Sequence, residues 1–393
     1  MAHKNETEND QVKGHASIRN FNERRILTLI RQEQALPKAA IAKQTGLSAQ
    51  SATIIINKLE EAGLVSRGKP QRGRVGQPVV PFGLNPEGAY GVGLKIGRRS
   101  FDLTLVDFAG VVQATLSERF AYPTVDALLM FLERGLSALT VSLSDEQQSR
   151  IAGLGIATPF EIWNWVEESG ADQSELEKWQ AFDFQQHVGA IVNMPVYICN
   201  DDTAACSAEL TFGNPERLSD FMYFFVGTFV GGGVVINNQL FTGFNNNAGA
   251  FGSLPLRNEQ GRSEQLLQLA SLYLLESKLD AGQKNALHSL TTDWSEYEEV
   301  LTPWLEKAAD GIAKAIVTTQ SVLDLQRALI DGALPELVKQ HLVERINQKL
   351  EQYDWRGLHV INASPGVIGP KAQSIGSANL PLMANFYLEN LQI

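Results

Sequence analysis

The sequence predicts an α/β protein in which a small helical N-terminal module precedes a larger region of mixed strands and helices. Two observations lead to this prediction. Residues 37–69 show a helix–turn–helix–strand pattern, and strand, turn and helix signals alternate from residue 89 onward. The chain has 393 residues, too many for one typical domain, and its 44% hydrophobic and 20% charged content is ordinary for globular proteins.

The N-terminal segment is predicted to be a disordered tail. Residues 1–18 are polar and lack the apolar core of a signal peptide. No apolar stretch approaches a membrane span, and the two cysteines, Cys199 and Cys206, are too few for a disulfide scaffold or a zinc cage. We therefore expect a cytoplasmic protein with no membrane partner.

Residues 37–69 predict two helices joined by a tight turn at Gly46. Ser48 is a suitable N-cap for the second helix, and Gly63 is a suitable stop. The apolar positions with the expected spacing are Ala39, Ala40, Ile41, Leu47, Ala52, Ile55, Ile56 and Leu59. Such a pair of helices presents its second helix to the major groove of DNA, although a helical hairpin inside a larger core would share the pattern.

The residues that follow predict a β-hairpin, which completes a winged helix-turn-helix over residues 19–86. Two strands, Leu64–Gly68 and Gln77–Asn85, flank a glycine-bearing link that contains Arg72 and Arg74. Arginine on such an arm suits the minor groove or the phosphates, and a solvated hairpin tip is the alternative. The predicted DNA-binding residues are Ser48, Gln50, Ser51, Thr53, Asn57, Arg67, Arg72 and Arg74.

Positive charge is concentrated in this module. Residues 1–80 contain 13 Lys and Arg against 7 Asp and Glu, whereas the rest of the chain contains 20 against 37. The acidic remainder should repel the phosphate backbone, so only the N-terminal module is expected to contact DNA.

From residue 87 the pattern changes to that of an α/β region. A turn is predicted at residues 108–110, an irregular stretch after residue 158 and a largely helical stretch over 262–350, before a closing helix. The predicted strands are Gly91–Ile96, Ser100–Asp107, a third strand after the turn, Ile151–Thr158, Val196–Asn200, Phe221–Thr228, Phe229–Asn237 and His359–Ser364. The predicted helices in the first part are Val125–Val141 and Ala204–Phe212.

The run CNDDTAACSAEL at residues 199–210 and the run GTFVGGG at residues 227–233, followed by an Asn-rich loop, resemble the ROK family of repressors and sugar kinases. With the winged helix in front, the resemblance is to its transcription-factor branch and covers the chain from roughly residue 20. It implies a two-lobed actin-like, sugar-kinase-like domain over residues 87–393, with a sugar cleft between the lobes. It also implies a homodimer or homotetramer that binds a palindromic operator in double-stranded DNA.

The residues that bind ATP and its metal in the family's kinases are altered in this chain. Family kinases have an acidic residue and then Gly-Gly-Thr in the first hairpin, where this chain has Lys95, Gly97, Arg98 and Arg99. The change removes an anchor for magnesium and puts a bulky cation where phosphates would lie. The glycine loop at 227–233 survives, and we interpret it as an inherited turn because closely packed hairpins also need glycine. We therefore predict no catalytic residue, no cofactor and no enzyme activity.

The sugar site is only partly retained. Asn200 and Asp201 match the family's sugar-binding Asn and catalytic base; the Asp201 carboxylate can accept a sugar hydroxyl proton, accept a hydrogen bond or cap the following helix. The family's sugar-binding Glu, its sugar- and zinc-binding His and a later Glu are replaced by Ala250, Ser253 and Leu267. The predicted effector-binding residues are Asn200, Asp201, Gly227, Thr228, Gly231, Gly232 and Ser253.

The zinc loop of the family is replaced by residues 258–265, which contain no cysteine, so no metal site is expected. Two aromatic residues, Phe160 and Phe251, are expected near the cleft. Such a cleft cannot hold a hexose in the family's usual way. The effector is therefore a sugar or sugar derivative that is less hydroxylated or differently functionalised, or there is none.

These features predict a repressor of carbohydrate-related genes with a degenerate effector cleft. A sugar kinase with a DNA-binding appendage and a ligand-independent DNA-binding scaffold are the alternatives. A single winged helix reads few base pairs, so symmetric pairing is expected. Ser263–Lys278 and Asp310–Leu323 are candidate interface segments.

Overall fold

The computed structural model describes residues 21–70, 79–164, 172–257, 261–280, 283–284, 287 and 294–388. The predicted tail, residues 1–18, and the wing arginines Arg72 and Arg74 lie outside these described residues. The described part forms an N-terminal winged module and two α/β lobes, each with a five-stranded sheet. None of its helices combines the length and the apolar composition that a membrane crossing requires.

The winged module contains three helices and a three-stranded sheet. Its elements are α1 (Phe21–Glu33), β1 (Ala35–Pro37), α2 (Lys38–Thr45), α3 (Ala49–Glu61), β2 (Val65–Arg67) and β3 (Pro81–Leu84). Gly46 adopts a φ of 65° at the end of α2, and Ser48 caps α3 by accepting a 3.0 Å hydrogen bond from the Ser51 amide. The turn and the N-cap are confirmed. The sequence patterns did not predict α1 or β1, and Ala39 is exposed rather than buried.

The first lobe is built on a sheet that combines a hairpin with parallel strands. Its strands are β4 (Tyr90–Ile96), β5 (Ser100–Asp107), β6 (Val112–Arg119), β7 (Ile151–Thr158) and β8 (Val196–Asn200), and its helices are α4 (Val125–Thr140), α5 (Asp145–Ser149), α6 (Gln173–Gln180) and α7 (Phe184–Gly189). The sheet order is β6-β5-β4-β7-β8. Phe101, Leu103 and Leu105 alternate along β5 and are fully buried, as the period-2 pattern predicts.

The second lobe repeats this order of strands. Its strands are β9 (Phe221–Val226), β10 (Val230–Ile236), β11 (Gln239–Phe241), β12 (Pro255–Arg257), β13 (Ser263–Gln265), β14 (Arg327–Gly332) and β15 (Ala363–Pro365). Its sheet runs β11-β10-β9-β14-β15, and β12 and β13 form a separate hairpin. The remaining helices are α8 (Asp201–Phe212), α9 (Leu267–Ala270), α10 (Leu272–Glu276), α11 (Glu298–Leu323), α12 (Glu336–Leu350) and α13 (Ala372–Phe386). The two sheets confirm the predicted two-lobed α/β fold.

Three predicted segments differ from the structure. The stretch 262–350 is largely helical, as predicted, but it also contains β14, which lies between β9 and β15 in the second sheet and pairs in parallel with both. A short buried run between long helices has no period that separates a strand from a helix. The stretch predicted to be irregular contains α6, and the last strand begins at Ala363 rather than His359.

The winged module packs directly on the first lobe and on α13. Ile30 of α1 belongs to the same buried cluster as Phe108 and Tyr387. The Arg24 guanidinium donates to the carbonyls of Tyr387 at 2.6 Å and Met383 at 3.1 Å. Since these contacts join the module to the helix that closes the chain, the module and the first lobe share one core.

Candidate functional site

The exposed side of α3 contains most of the predicted base-contacting residues. Gln50 and Ser51 are exposed, and Thr53 is half-buried. The hydroxyl of Ser48 donates to Ser51 Oγ at 2.8 Å, and the hydroxyl of Thr53 donates to the Ala49 carbonyl at 2.7 Å. These hydroxyls therefore hold the first turn of α3, whereas the Gln50 amide offers the donor and acceptor pair that reads adenine well.

Ile54 is an exposed residue of α3 that the sequence analysis did not select. It is 61% exposed, although the neighbouring Ile56 is fully buried. The three isoleucines of the run TIII have identical side chains, so only their positions around the helix decide which of them is exposed. An exposed aliphatic side chain on a recognition helix is suited to contact the methyl group of thymine.

The cationic residues around α3 are held by exposed polar partners. Arg67 forms a bidentate pair with Glu60, with distances of 2.6 and 3.0 Å, and this hydrogen bonding lowers the pKa of the Glu60 carboxyl. Lys38 Nζ donates to Asn57 Oδ1 at 2.5 Å. Exposed pairs of this kind contribute little to stability, so a phosphate can compete for Arg67 or Lys38.

A cavity of about 190 Å³ lies between the two lobes. All seven residues predicted to bind an effector line it: Asn200, Asp201, Gly227, Thr228, Gly231, Gly232 and Ser253. Phe160 also lines the cavity, but Phe251 does not, because it is 6% exposed and stacks on Phe224 with a centroid distance of 4.4 Å. Phe251 therefore lies near the cavity, between the lining residues Ala250 and Gly252, without lining it.

Asn200 is the N-cap of α8. Its side-chain oxygen accepts hydrogen bonds from the amides of Asp202 at 3.0 Å and Thr203 at 3.2 Å. The helix therefore starts at Asp201, three residues before the predicted start, and the cap is Asn200 rather than Asp201. Since the cap uses only the oxygen, the Nδ2 group of Asn200 can donate to a ligand in the cavity.

Two adjacent carboxyl groups, Asp201 and Asp202, line the cavity. The Gln373 side-chain amide donates to both, at 3.2 and 2.9 Å. Burial raises the pKa of Asp201, and burial together with the neighbouring Asp201 carboxylate raises the pKa of Asp202 well above its usual range. The pair offers acceptors to ligand hydroxyls, and a raised pKa favours the protonated form of a carboxyl, which is also a donor. Gln373 was not predicted because 172 residues separate it from Asp201.

Close packing in this fold explains why residues 231 and 232 are glycine. A β-carbon at Gly231 would overlap the Asp202 carboxylate, and one at Gly232 would overlap the carbonyl of Tyr223 and crowd the Phe251 ring. Both glycines lie in β10 rather than in the predicted turn, and they allow this strand to approach both α8 and β9 closely. This packing accounts for the glycines without a bound nucleotide.

The first hairpin brings two cations to the cleft. Lys95 Nζ lies 3.3 Å from Asp102 Oδ2, and the Arg98 guanidinium lies over the Phe229 ring at 4.0 Å from its centroid. Both side chains line the cavity. In the ranges that the structure describes, no group of three or more His, Cys, Asp or Glu side chains could hold a metal ion.

Comparisons with protein families cover both parts of the chain. Residues 91–381 match the ROK family, and residues 22–66 match a family of winged helix-turn-helix DNA-binding domains. These ranges correspond to the two lobes and to the winged module, respectively.

Several curated proteins are similar to the chain at low identity. The protein y4fQ of Sinorhizobium fredii is 24% identical over 93% of this chain and 92% of its own length. The xylose repressor of Caldicellulosiruptor bescii is 24% identical over 75% of both chains. The DNA-binding transcriptional dual regulator NagC of Escherichia coli is 24% identical over 60% of this chain and 58% of its own.

Solved structures share the fold. A ROK family transcriptional regulator, a homologue of the Escherichia coli MLC protein, aligns with a TM-score of 0.66 and 17% identity over 93% of this chain and 96% of its own. A ROK family glucokinase from Streptomyces griseus, solved with glucose and AMPPNP, aligns with a TM-score of 0.53 and 18% identity over 74% of this chain and 98% of its own. The regulator matches the winged module as well as the lobes.

Proposed function

The chain belongs to the ROK family and has a winged helix-turn-helix ahead of the ROK domain, and on that basis we propose that it is a sequence-specific DNA-binding repressor of carbohydrate-related genes. The presentation of α3 carries this proposal. A capped helix exposes Gln50, Ile54 and Asn57 on a module that shares its core with the first lobe. This arrangement suits major-groove recognition that responds to the lobes. Curated relatives named xylose repressor and N-acetylglucosamine repressor support it.

The proposed effector is a sugar or sugar derivative bound in the inter-lobe cavity. Asn200 Nδ2, the Asp201 and Asp202 carboxyls and Ser253 supply donors and acceptors for hydroxyl groups. We assign Asp201 a binding role rather than a catalytic one, because Lys95 and Arg98 occupy the hairpin where a kinase would anchor magnesium. Binding would shift the lobes between two arrangements according to its differential affinity for them.

The proposed assembly is a homodimer or homotetramer on a palindromic operator. The two segments expected at the interface, Ser263–Lys278 and Asp310–Leu323, place most of their apolar residues in the core of the second lobe, whereas Val322 is 76% exposed. Leu266, Leu275 and Ile316, for example, are almost fully buried. These internal contacts explain the apolar periodicity of both segments, which therefore gives no support to either as an interface.

DNA selection with the purified protein tests the central part of the proposal. From a random duplex library at physiological salt, we expect enrichment of one palindromic sequence. Replacing Arg72 and Arg74 together with Ala should weaken binding to it and flatten the salt dependence. A matched double substitution on the lobes, Arg134→Ala with Arg345→Ala, should change neither the operator affinity nor its salt dependence. A library with no enriched sequence would contradict the proposal.

A phosphotransfer assay separates the repressor from the kinase alternative. The protein incubated with ATP, magnesium and a panel of hexoses and pentoses should give no turnover above buffer, because the carboxylate that would hold magnesium is replaced by Lys95. Sugar-dependent ADP formation that disappears in Asp201→Ala would identify an enzyme instead.

A further inference from the structure

The residues that line the inter-lobe cavity differ in polarity according to their exposure. Those with carboxyl or amide side chains are all buried or half-buried: Asn200, Asp201, Asp202, Asn247 and Gln373. The described lining residues that are exposed form what we call the rim: Phe160, Ala250, Ser253 and Pro370. Since only the serine of the rim has a polar side-chain atom, the hydrogen-bonding groups of the cavity lie behind an entrance that is mostly apolar.

Phe160 is the largest residue of the rim. It is 43% exposed, so much of an aromatic residue is left in contact with water. Exposed apolar side chains occur singly on many protein surfaces, but this one lines a cavity that also contains hydrogen-bonding groups. An apolar group of a ligand that covers Phe160 would remove apolar surface from water on both partners.

The backbone beside Phe160 has a conformation that is costly for its residue type. Glu161 adopts a φ of 47°, in the left-handed region that residues other than glycine rarely occupy. Asn164 stabilises the turn, because its backbone amide donates to the Glu161 carbonyl at 2.9 Å and its side-chain amide donates to the Glu161 carboxylate at 2.6 Å. Ile162 anchors the turn in the core of the first lobe. Such strained residues concentrate at ligand-binding sites, so the turn is a second observation that points to ligand contact here.

The topology of the first lobe brings Phe160 close to the polar part of the cavity. Thr158 at the end of β7 pairs with Asn200 at the end of the parallel strand β8. Phe160 follows two residues later, and two residues of chain span at most about 7 Å. Ligands of α/β sheets usually bind outside the carboxyl ends of the strands. A molecule held by Asn200 and the neighbouring carboxyls can therefore reach Phe160 with a short substituent.

The volume of the cavity limits what can lie behind the rim. It is about 190 Å³, whereas pockets that hold drug-sized ligands have about 300–1,000 Å³. The cavity therefore suits a single sugar unit rather than a longer saccharide. Any substituent on that sugar unit extends toward the rim, where three of the four residues are apolar.

We propose that the effector is a glycoside of a monosaccharide with an apolar aglycone, in which the sugar hydroxyls bind the polar residues and the aglycone packs on Phe160. This assignment rests on the proposed function, because it names the ligand class of the same cavity. Phe160 is then a specificity-determining residue, since the free sugar and its glycoside share the hydrogen bonds and differ at the aglycone. An aromatic aglycone gains most, because a pair of aromatic rings is stabilised beyond the area that it buries.

Titration calorimetry on the full chain tests this assignment with matched probes. Glucose, galactose, xylose and N-acetylglucosamine are each compared with their phenyl α- and β-glycosides. We expect at least one phenyl glycoside to bind at least about fivefold more tightly than its free sugar. Phe160→Ala should bring the ratio of the two affinities close to one, and Phe160→Tyr, which keeps the ring, should preserve it. Phe244→Ala is the matched control, because Phe244 is fully exposed and does not line the cavity.

Three results would overturn the assignment. These are phenyl glycosides that bind no more tightly than their free sugars, an equal change of the ratio in Phe160→Ala and Phe244→Ala, and no binding of any probe at millimolar concentration. Operator selection with the same preparation reports on the regulatory function separately. An operator that free sugars release, without a preference for phenyl glycosides, removes the aglycone and leaves the repressor. A preference for glycosides that depends on Phe160, without an enriched operator, supports the ligand class and contradicts the repressor.

Discussion

At the scale of single residues, Ile54 shows how one exposed aliphatic side chain can contribute to DNA recognition. It lies on the exposed side of α3 with Gln50 and Asn57, one turn away in either direction. Water surrounds most of this side chain in the free protein, and contact with a thymine methyl group would remove apolar surface from water on both partners.

We therefore expect Ile54→Ala to weaken operator binding by about fivefold to a hundredfold, the range of about 1–3 kcal/mol for one good base contact. Replacing single thymines of the operator by uracil removes only the methyl group. One such replacement should weaken the wild-type complex and leave the Ile54→Ala complex unchanged, as measured by fluorescence anisotropy. Equal effects of every uracil on both proteins would exclude the contact.

The carboxyl pair that lines the cavity makes a second prediction at this scale. The pKa of Asp202 is raised in the folded protein, so the native state keeps a proton that the unfolded chain has already released. Its contribution to stability is therefore fully present below the unfolded pKa, about 3.9, and is lost as the pH rises through the folded pKa.

The melting temperature of Asp202→Asn should therefore rise relative to that of the wild type as the pH increases from 4.5 to 8, because asparagine stays neutral. Melting curves at several pH values measure this difference. Asp354→Asn is the matched control, since the Arg356 side chain lowers the pKa of this exposed aspartate and no such gain is expected. A constant difference between Asp202→Asn and wild type across the pH range would rule out the raised pKa.

At the scale of elements, α8 connects the cleft with the winged module. Its first residue follows the Asn200 cap in the cavity, and its 12 residues span about 18 Å. Near the other end, the Thr211 carbonyl accepts a hydrogen bond from Arg31 of α1, and the Arg31 guanidinium lies over the Tyr387 ring at 4.8 Å. A shift of α8 on ligand binding would therefore reach α1 directly.

Arg31→Met should keep an apolar side chain against Tyr387 but remove the guanidinium, and with it the hydrogen bond to α8. We expect operator affinity to stay close to wild type, whereas the ligand-induced change in that affinity falls at least about fivefold, because coupling between sites is typically about 1–3 kcal/mol. Arg25→Met on the same helix is the matched control. An unchanged ligand response in Arg31→Met would show that coupling takes another route.

The sequence predicts some elements well for identifiable reasons. Gly46, Ser48 and the alternation in β5 act locally, so the turn, the cap of α3 and the first-lobe hairpins follow from short stretches of chain. The strand β14 has no such local signal, because its burial depends on pairing with β9 and β15. The same reason separates Asn200 and Asp201, which a motif predicts, from Gln373, which only the tertiary structure brings to them.

At the scale of the whole molecule, recognition of a palindrome requires two winged modules in a fixed relation. Sedimentation at micromolar concentration should therefore show a dimer or tetramer, and the operator complex should contain an even number of protomers. The interface must use surfaces other than the buried faces of α10 and α11, which the core of the second lobe already occupies. A monomer in both the free and the DNA-bound state would contradict a symmetric repressor.

The central claim is that occupancy of the inter-lobe cleft controls DNA binding by the winged module. Its most direct measurement is the affinity for the selected operator, titrated with a panel of sugars, for wild type, Asp201→Ala and the exposed-residue control Asp126→Ala. We predict that at least one sugar releases wild type and the control, whereas Asp201→Ala binds the operator equally well and does not respond to that sugar. An identical response of Asp201→Ala and wild type, or an operator affinity that no sugar changes, would contradict the claim.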